Sequence, residues 1–342
     1  MMAKPRLLLS SLVGAFLWLL LMPGEALAWG PATHIAIGEA VLSSVHLLPP
    51  AAQELLRRHP VSFLYGGVAA DISFGKKYAP AGRHCHHWHV GEEIQASADT
   101  PELQAVSLGY LSHLAADTVA HNYYVPRRLL LTSTTQALGH TYWEHRMDLE
   151  IGDPYLTRAR QVVLEADHQA ADAHFDRVLS RTLFSFRTNR RIFRGMVAIQ
   201  DRDRWKRMFG RVVERSRFEF PRPLRDRYIQ LSYEYVMEYL ARGEESRAAE
   251  LDPIGDENLG LAKTIRRRGM ARGGFEDPEI LQEWADDFFP IPTPSGLFLP
   301  RAAGRIDVPG LRATPDGRLE ADARIPEGKI HFDPRTLRAD GS

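Results

Sequence analysis

Apolar residues recur every three to four positions over much of the chain, the spacing that gives a helix one buried stripe. Gly30-Pro31 opens the first such segment, with proline where its missing N–H costs least, and "THIAIGEAVLSSV" continues it. "PPAAQELLRRH" predicts a second, short helix. "TPELQAVSLGYLSHLAADTVAHNYYV" predicts a third, with Thr100 as cap, Pro101 in first position and an end before Pro126. "TTQALGHTYWEHRMDLEI" predicts a fourth. Further helical patterns run from about residue 158 to 245, among them "QVVLEADHQAADAHFDRVLSRTL" and "DRYIQLSYEYVMEYLARG". No strand-like alternation precedes residue 275, and no internal repeat is found. From about Gly273 the texture turns to Pro, Gly and charge without helical period, which reads as an extended or largely disordered tail. The expectation is an all-α, multi-helix domain over residues 29–250. An irregular C-terminal extension, 251–342, follows it and is partly disordered from about 275.

The first 28 residues read differently. Lys4 and Arg6 make a short basic start, Leu7 to Leu21 an apolar run, and Pro23-Gly24 a break before Ala26-Leu27-Ala28. This is the order of a signal peptide with a small-x-small cleavage site, so the mature chain is expected to begin at Trp29, exported to the periplasm or secreted. The other reading is an uncleaved N-terminal anchor, against which the cleavage site just past a helix breaker argues. No Cys lies near the junction, which argues against a lipoprotein.

Charge is balanced, with 43 basic and 43 acidic residues, so whole-chain charge points to no polyanionic partner. A single cysteine, Cys85, excludes an intrachain disulfide, and an exported chain must then be held by its core, by metal, or by both. Fourteen histidines are the unusual feature, and they are unevenly distributed.

His113, Asp117 and His121 follow one another at i, i+4, i+8, along one drifting helix face. His140 and Glu144 share a face of the next helix, and His34 lies in the first turn of the first. Between them, "GVAADISFGKKYAPAGRHCHHWHV" supplies Asp71 and four histidines, His84, His86, His87 and His89. Neutral imidazole and carboxylate are the ligands zinc takes when thiolates are absent. Each piece alone reads as a satisfied or solvated pair. Together they bring many ionisable groups onto apolar helices, which costs several kcal/mol unless a metal compensates.

With "HLAAD", "TVAH" and "HTYWE" in that order behind an N-terminal Trp, the chain resembles the zinc-dependent phospholipase C family, which shares its fold with the fungal single-strand nucleases. The resemblance covers residues 29 to about 150. It implies an all-helical fold and three zinc ions, one bound by the α-amine and carbonyl of a mature N-terminal Trp. Carried over residue by residue, it implies Trp29, His34 and Asp117 at one zinc, and Asp71, His86, His113 and the shared Asp117 at a second. His121, His140 and Glu144 would hold the third. Two departures stand out. Three residues separate Asp117 from His121 where the best-known members have five, and four loop histidines stand where the family has one. His86 is chosen by its spacing from Asp71; His84 and His87 stay open, and Cys85 is taken as a bystander.

The resemblance further implies phosphodiester hydrolysis, with Asp71 as candidate general base. The aromatics that bind choline in the phospholipases have no clear counterpart: Ile72 follows Asp71 where an aromatic would be expected. The Arg-rich stretches "FRTNRRIFRG" and "RDRWKRMFGRVVERSRFEFPRPLRDR" read as anionic-lipid or nucleic-acid contacts, or as the solvated face of amphipathic helices. Three classes stand: phospholipase C-type hydrolysis of a phospholipid, to which a peripheral membrane-surface contact would belong; a nuclease or other phosphodiesterase on the same centre; and a metal-bound interaction module. No specific nucleic-acid partner is evident.

Overall fold

The computed structural model describes residues 29–132, 136–271 and 277–296, together with the backbone of two paired dipeptides, Arg312–Ala313 and Leu319–Glu320. The expected signal peptide and the rest of the tail lie outside the described residues. Helices α1 (Pro31–Ser43), α2 (Pro50–Arg58), α3 (Pro60–Ala69) and α4 (Trp88–Ala96) precede the long α5 (Pro101–Val119). A π-turn, Ala120–Tyr124, joins α5 to α6 (Val125–Thr132), and α7 (Gln136–Ile151), α8 (Asp153–Glu165) and α9 (Gln169–Val178) follow. The series continues with α10 (Phe186–Gln200), α11 (Asp203–Glu214), α12 (Arg222–Arg242), α13 (Asp256–Ala271) and α14 (Pro278–Phe288). The all-α expectation holds.

The helix starts follow the local signals. Proline stands in the first turn of α1, α2, α3 and α5, and Thr100 Oγ1 accepts from Leu103 N at 3.2 Å. The α5 helix is buried along most of its length because α3, α4 and α12 pack around it. Where α3 crosses it, the two backbones touch. A Cβ on Gly66 would lie 2.0 Å from the Val106 carbonyl oxygen, and one on Gly109 would lie 2.0 Å from that of Phe63. This crossing sets the distance between Asp71, just past α3, and His113 and Asp117 on α5. Gly109→Val is therefore expected to destabilise the fold by more than the ~1–3 kcal/mol usual for an overpacked core. Urea unfolding measures it, and wild-type stability would contradict a backbone-to-backbone crossing.

Two elements depart from the sequence reading. The third helix does not stop before Pro126. Val125 N bonds to Ala120 O in the widened turn, and Pro126 becomes the second residue of α6, where a missing N–H is tolerated. Past Gly273, where no helical period was expected, α14 forms: Asp277 caps it by accepting from Glu279 N, and Pro278 begins it. Its apolar stripe is only Leu281, Ala285 and the adjoining Phe289, too short to stand out among Pro, Gly and charge. The stripe still closes a small second core with Leu130, Ala262 and Ile265. Arg127 secures it, donating to the Phe289 carbonyl at 3.0 Å and pairing with Asp286. Among the described residues no helix is long and apolar enough to cross a membrane.

Candidate metal centre

The first turn of α1 is held by a carboxylate from another helix. Asp148 on α7 accepts from Ala32 N at 3.2 Å, Thr33 N at 2.9 Å and Thr33 Oγ1 at 2.7 Å, satisfying orphan amides of the helix start. Gly30 must be bare, since a Cβ there would lie 2.2 Å from Asp148 Oδ2. Trp29 is fully buried; its indole donates to the Ala116 carbonyl at 3.0 Å and its ring lies 4.7 Å from that of Tyr124. The start of the expected mature chain is thus pinned beside Asp117, and His34 is carried inward.

On α5, His113 donates from Nδ1 to the Gly67 carbonyl at 3.0 Å, which leaves Nε2 as the lone-pair nitrogen facing Asp117. His113 Nε2 stands 3.2 Å from Asp117 Oδ2, His86 Nε2 stands 3.1 Å from the same oxygen, and the two nitrogens are 3.0 Å apart. Asp71, on the turn Ala70–Ile72 after α3, brings Oδ1 to 3.4 Å from His86 Nε2 and 3.8 Å from His113 Nε2. Donors around a tetrahedral zinc at 2.0–2.1 Å stand about 3.3 Å from each other. Five edges of that tetrahedron are therefore close to their bound lengths. Asp117 turns its other oxygen to His34 Nε2 at 3.3 Å, so this carboxylate spans two sides of the cluster.

The second group is looser. His121 sits in the π-turn and donates from Nδ1 to the Pro253 carbonyl at 2.5 Å, with Nε2 unpartnered. Its ring lies 5.3 Å from that of His140, whose Nε2 is 3.7 Å from Glu144 Oε1. Both His140 nitrogens and Glu144 Oε1 are buried without a hydrogen bond. The donors that approach within 4.8 Å of one another are those of His86–His113–Asp117, His34–Asp71–His113 and His84–Cys85–His86, not of this set.

Of the loop histidines, His86 is fully buried and faces Asp71 and Asp117. His84 Nδ1 accepts from His86 N, His87 is half-buried, and His89 is exposed and bonds the Gly82 carbonyl. Cys85 is buried, its Sγ 3.3 Å from His86 Nδ1 and 3.4 Å from the Ala70 carbonyl.

The electrostatics ask for a cation. Burial pushes the Asp117 carboxyl up, but the His113 charge and hydrogen bonds from the imidazoles outweigh it and hold the group well below the usual carboxylate range. Burial pushes Glu144 well above that range, and holds His140 far down and His121 at about 4. A neutral imidazole with a lone pair turned into a buried cluster of carboxylates is what a zinc site requires. The orphaned atoms at Asp71 Oδ2, His121 Nε2, His140 and Glu144 would each carry a desolvation cost without one. The donor set fits zinc. Because imidazole must be neutral to bind, zinc content is expected to fall as pH drops below about 6, read by elemental analysis after equilibrium dialysis.

Two residues escaped the sequence reading. Lys76, in the quoted loop, is buried with its Nζ 2.9 Å from Asp71 Oδ1. Asp148 extends the His140–Glu144 row by one more turn, a signal present in the spacing. The family model described as zinc dependent phospholipase C matches residues 33–189, a span that holds every candidate ligand except Trp29. No curated protein and no solved structure matches the chain. Over residues 33–189, just under half of its length, with its histidines and carboxylates gathered on α1, α5, α7 and the Asp71 loop, the chain is similar to the zinc-dependent phospholipase C family.

Proposed function

We propose that this protein is an exported phospholipase C-type enzyme that hydrolyses a phospholipid phosphodiester at a three-zinc centre. The observation that carries the reading is the near-tetrahedral set of Asp71, His86, His113 and Asp117 inside the family-matched segment. Zinc, when bound, polarises phosphoryl oxygens and lowers the pKa of a bound water toward neutrality. The chain's own residues do the rest. Asp117 would join two ions, turning one oxygen to His34 and the other to His86 and His113. His113, fixed by Gly67, turns its Nε2 to the site. Asp71 would ligate and take the proton of the attacking water, since Lys76 keeps it ionised against the opposing pull of burial. His121, His140 and Glu144 would hold the third ion. Cleavage before Trp29 would supply the last ligand, an α-amine on a residue already locked by its indole.

The surface of α11 favours lipid over nucleic acid. Its inner face puts Phe209 against Tyr142 and His145 of α7. Its outer face exposes Arg204, Arg207 and Arg211, with Met208 and Val212 beside them, and the exposed Arg215 follows at its C-terminal cap. Cationic heads flanking apolar side chains on one helix face suit an anionic lipid surface, where both find partners. Replacing Arg207 and Arg211 by Glu is expected to weaken sedimentation with anionic vesicles at least about tenfold. Hydrolysis of a soluble short-chain substrate should stay unchanged. Wild-type sedimentation by the double variant would remove this surface from the proposal.

The deciding experiment is a panel on the zinc-loaded mature protein with phospholipids, lysolipids and single-stranded DNA. Release of diacylglycerol and a phosphorylated headgroup is the expected result. Cleavage of DNA alone would transfer the site to the nuclease reading, and inertness toward all three would leave a metal-bound interaction module.

A further inference from the structure

Lysine is a surface residue by habit, yet Lys76 is only 3% exposed and stands at the centre's edge. The chain puts it there deliberately. Gly75 turns at φ 69°, a left-handed conformation that glycine takes without strain, and starts the tight turn Lys76–Tyr78. Tyr78 leaves that turn exposed while Lys76 enters the interior. The Lys76 ammonium donates to Asp71 Oδ1 at 2.9 Å and stands 3.3 Å and 3.4 Å from His86 Nε2 and Nδ1. A cation in the middle of the donor tetrahedron would be about 2.0–2.2 Å from each donor. Lys76 is farther away and lies on the Asp71–His86 edge, so it borders the metal position instead of filling it. It engages one oxygen of Asp71, while Oδ2 makes no hydrogen bond.

We infer that Lys76 is a positioning residue: its ammonium fixes Asp71 as a one-oxygen donor and keeps the second oxygen uncommitted. The inference rests on the reading of the site given above. Outer partners that fix a ligand's orientation tune a metal site as strongly as many ligands do. Without the ammonium, a carboxylate at this edge is able to rotate into two-oxygen coordination. That raises the coordination number and takes Oδ2 out of use.

The test loads the mature protein with Co²⁺ in place of zinc and compares wild type with Lys76→Met and Lys76→Gln. The Met variant is expected to take up as much cobalt as wild type, with a weaker visible absorption band as one four-coordinate ion becomes five-coordinate. With bis(p-nitrophenyl) phosphate as probe, kcat is expected to fall at least about tenfold with KM within about twofold. The Gln variant, which keeps an N–H donor for Asp71, should recover part of the band. A Met variant with wild-type spectrum and wild-type kcat would overturn the inference. Should the Met variant fail to fold, Lys76→Ala, which removes the donor without adding bulk, decides on the same two readouts: a weaker band with lower kcat supports the inference, and a wild-type band with wild-type kcat overturns it. A band that weakens in a protein inert toward every phosphodiester would leave the positioning role standing and overturn the proposed reaction. Wild-type protein that takes up no cobalt would overturn both.

Discussion

Asp117→Ala is expected to strip metal from two sites at once and to take phosphodiesterase activity to the assay background. The carboxylate is fully buried, with Oδ2 facing two imidazole nitrogens at 3.1 Å and 3.2 Å and Oδ1 facing a third at 3.3 Å. Alanine removes both carboxylate oxygens and leaves His34, His86 and His113 without a shared acid. The helix itself should survive, because alanine is the best helix former and α5 is packed along its length by α3, α4 and α12. The expected outcome is native-like circular dichroism, zinc reduced by about two equivalents against wild type in elemental analysis, and no turnover. A variant that kept its zinc would show that Asp117 does not join the ions.

The helices that carry the centre were legible in the sequence because their ligands obey helical spacing. His113 and Asp117, and His140 and Glu144, fall four apart within apolar segments, and the structure sets each pair on one face as that period requires. Asp71 and the four loop histidines stood out as ligand types, but the choice of His86 among them came only through the family resemblance, since no local period links a turn after α3 to a loop fifteen residues on. What brings them together is the crossing at Gly66 and Gly109, a contact between backbones that leaves only two unremarkable glycines in the sequence.

Lys76 was hidden for a different reason. A lysine in "FGKKYAP" reads as solvated, and only the fold reveals that the buried charge has Asp71 for a partner. Asp148 was hidden by its neighbours: the eye stops at His140 and Glu144, although the same row continues one turn on and caps α1. The break before Pro126 was misread because a proline usually ends a helix. The π-turn supplies the extra residue that lets the chain pass it, and His121, displaced from regular α-helical spacing, sits in that turn. Helix α14 was missed because three apolar positions are too few to establish a period.

Asp71→Asn is expected to leave zinc near the wild-type content and to lower phosphodiesterase activity at least about a hundredfold, the usual scale for loss of a general base. Asparagine keeps the size of the side chain and an oxygen able to accept from Lys76 and to face His86. It lacks the charge that would accept the proton of the attacking water, and it turns the uncommitted Oδ2 into an amide. The charge is present in the wild type: burial pushes the Asp71 carboxyl up, but Lys76 together with His113 and His86 holds it below the usual range. The substitution has a second consequence. It leaves the Lys76 ammonium buried beside an uncharged group, and breaking a buried ion pair from one side costs about 3–5 kcal/mol. A loss of activity through loss of fold must therefore be separated from a loss of chemistry. The double variant Asp71→Asn with Lys76→Met does so. With both charges gone the buried cost is relieved, so its melting temperature should return toward the wild-type value while its activity stays at least a hundredfold down. Full activity in the single variant would show that the proton goes elsewhere. Recovery of activity together with stability in the double variant would make Asp71 a structural partner of Lys76 and nothing more.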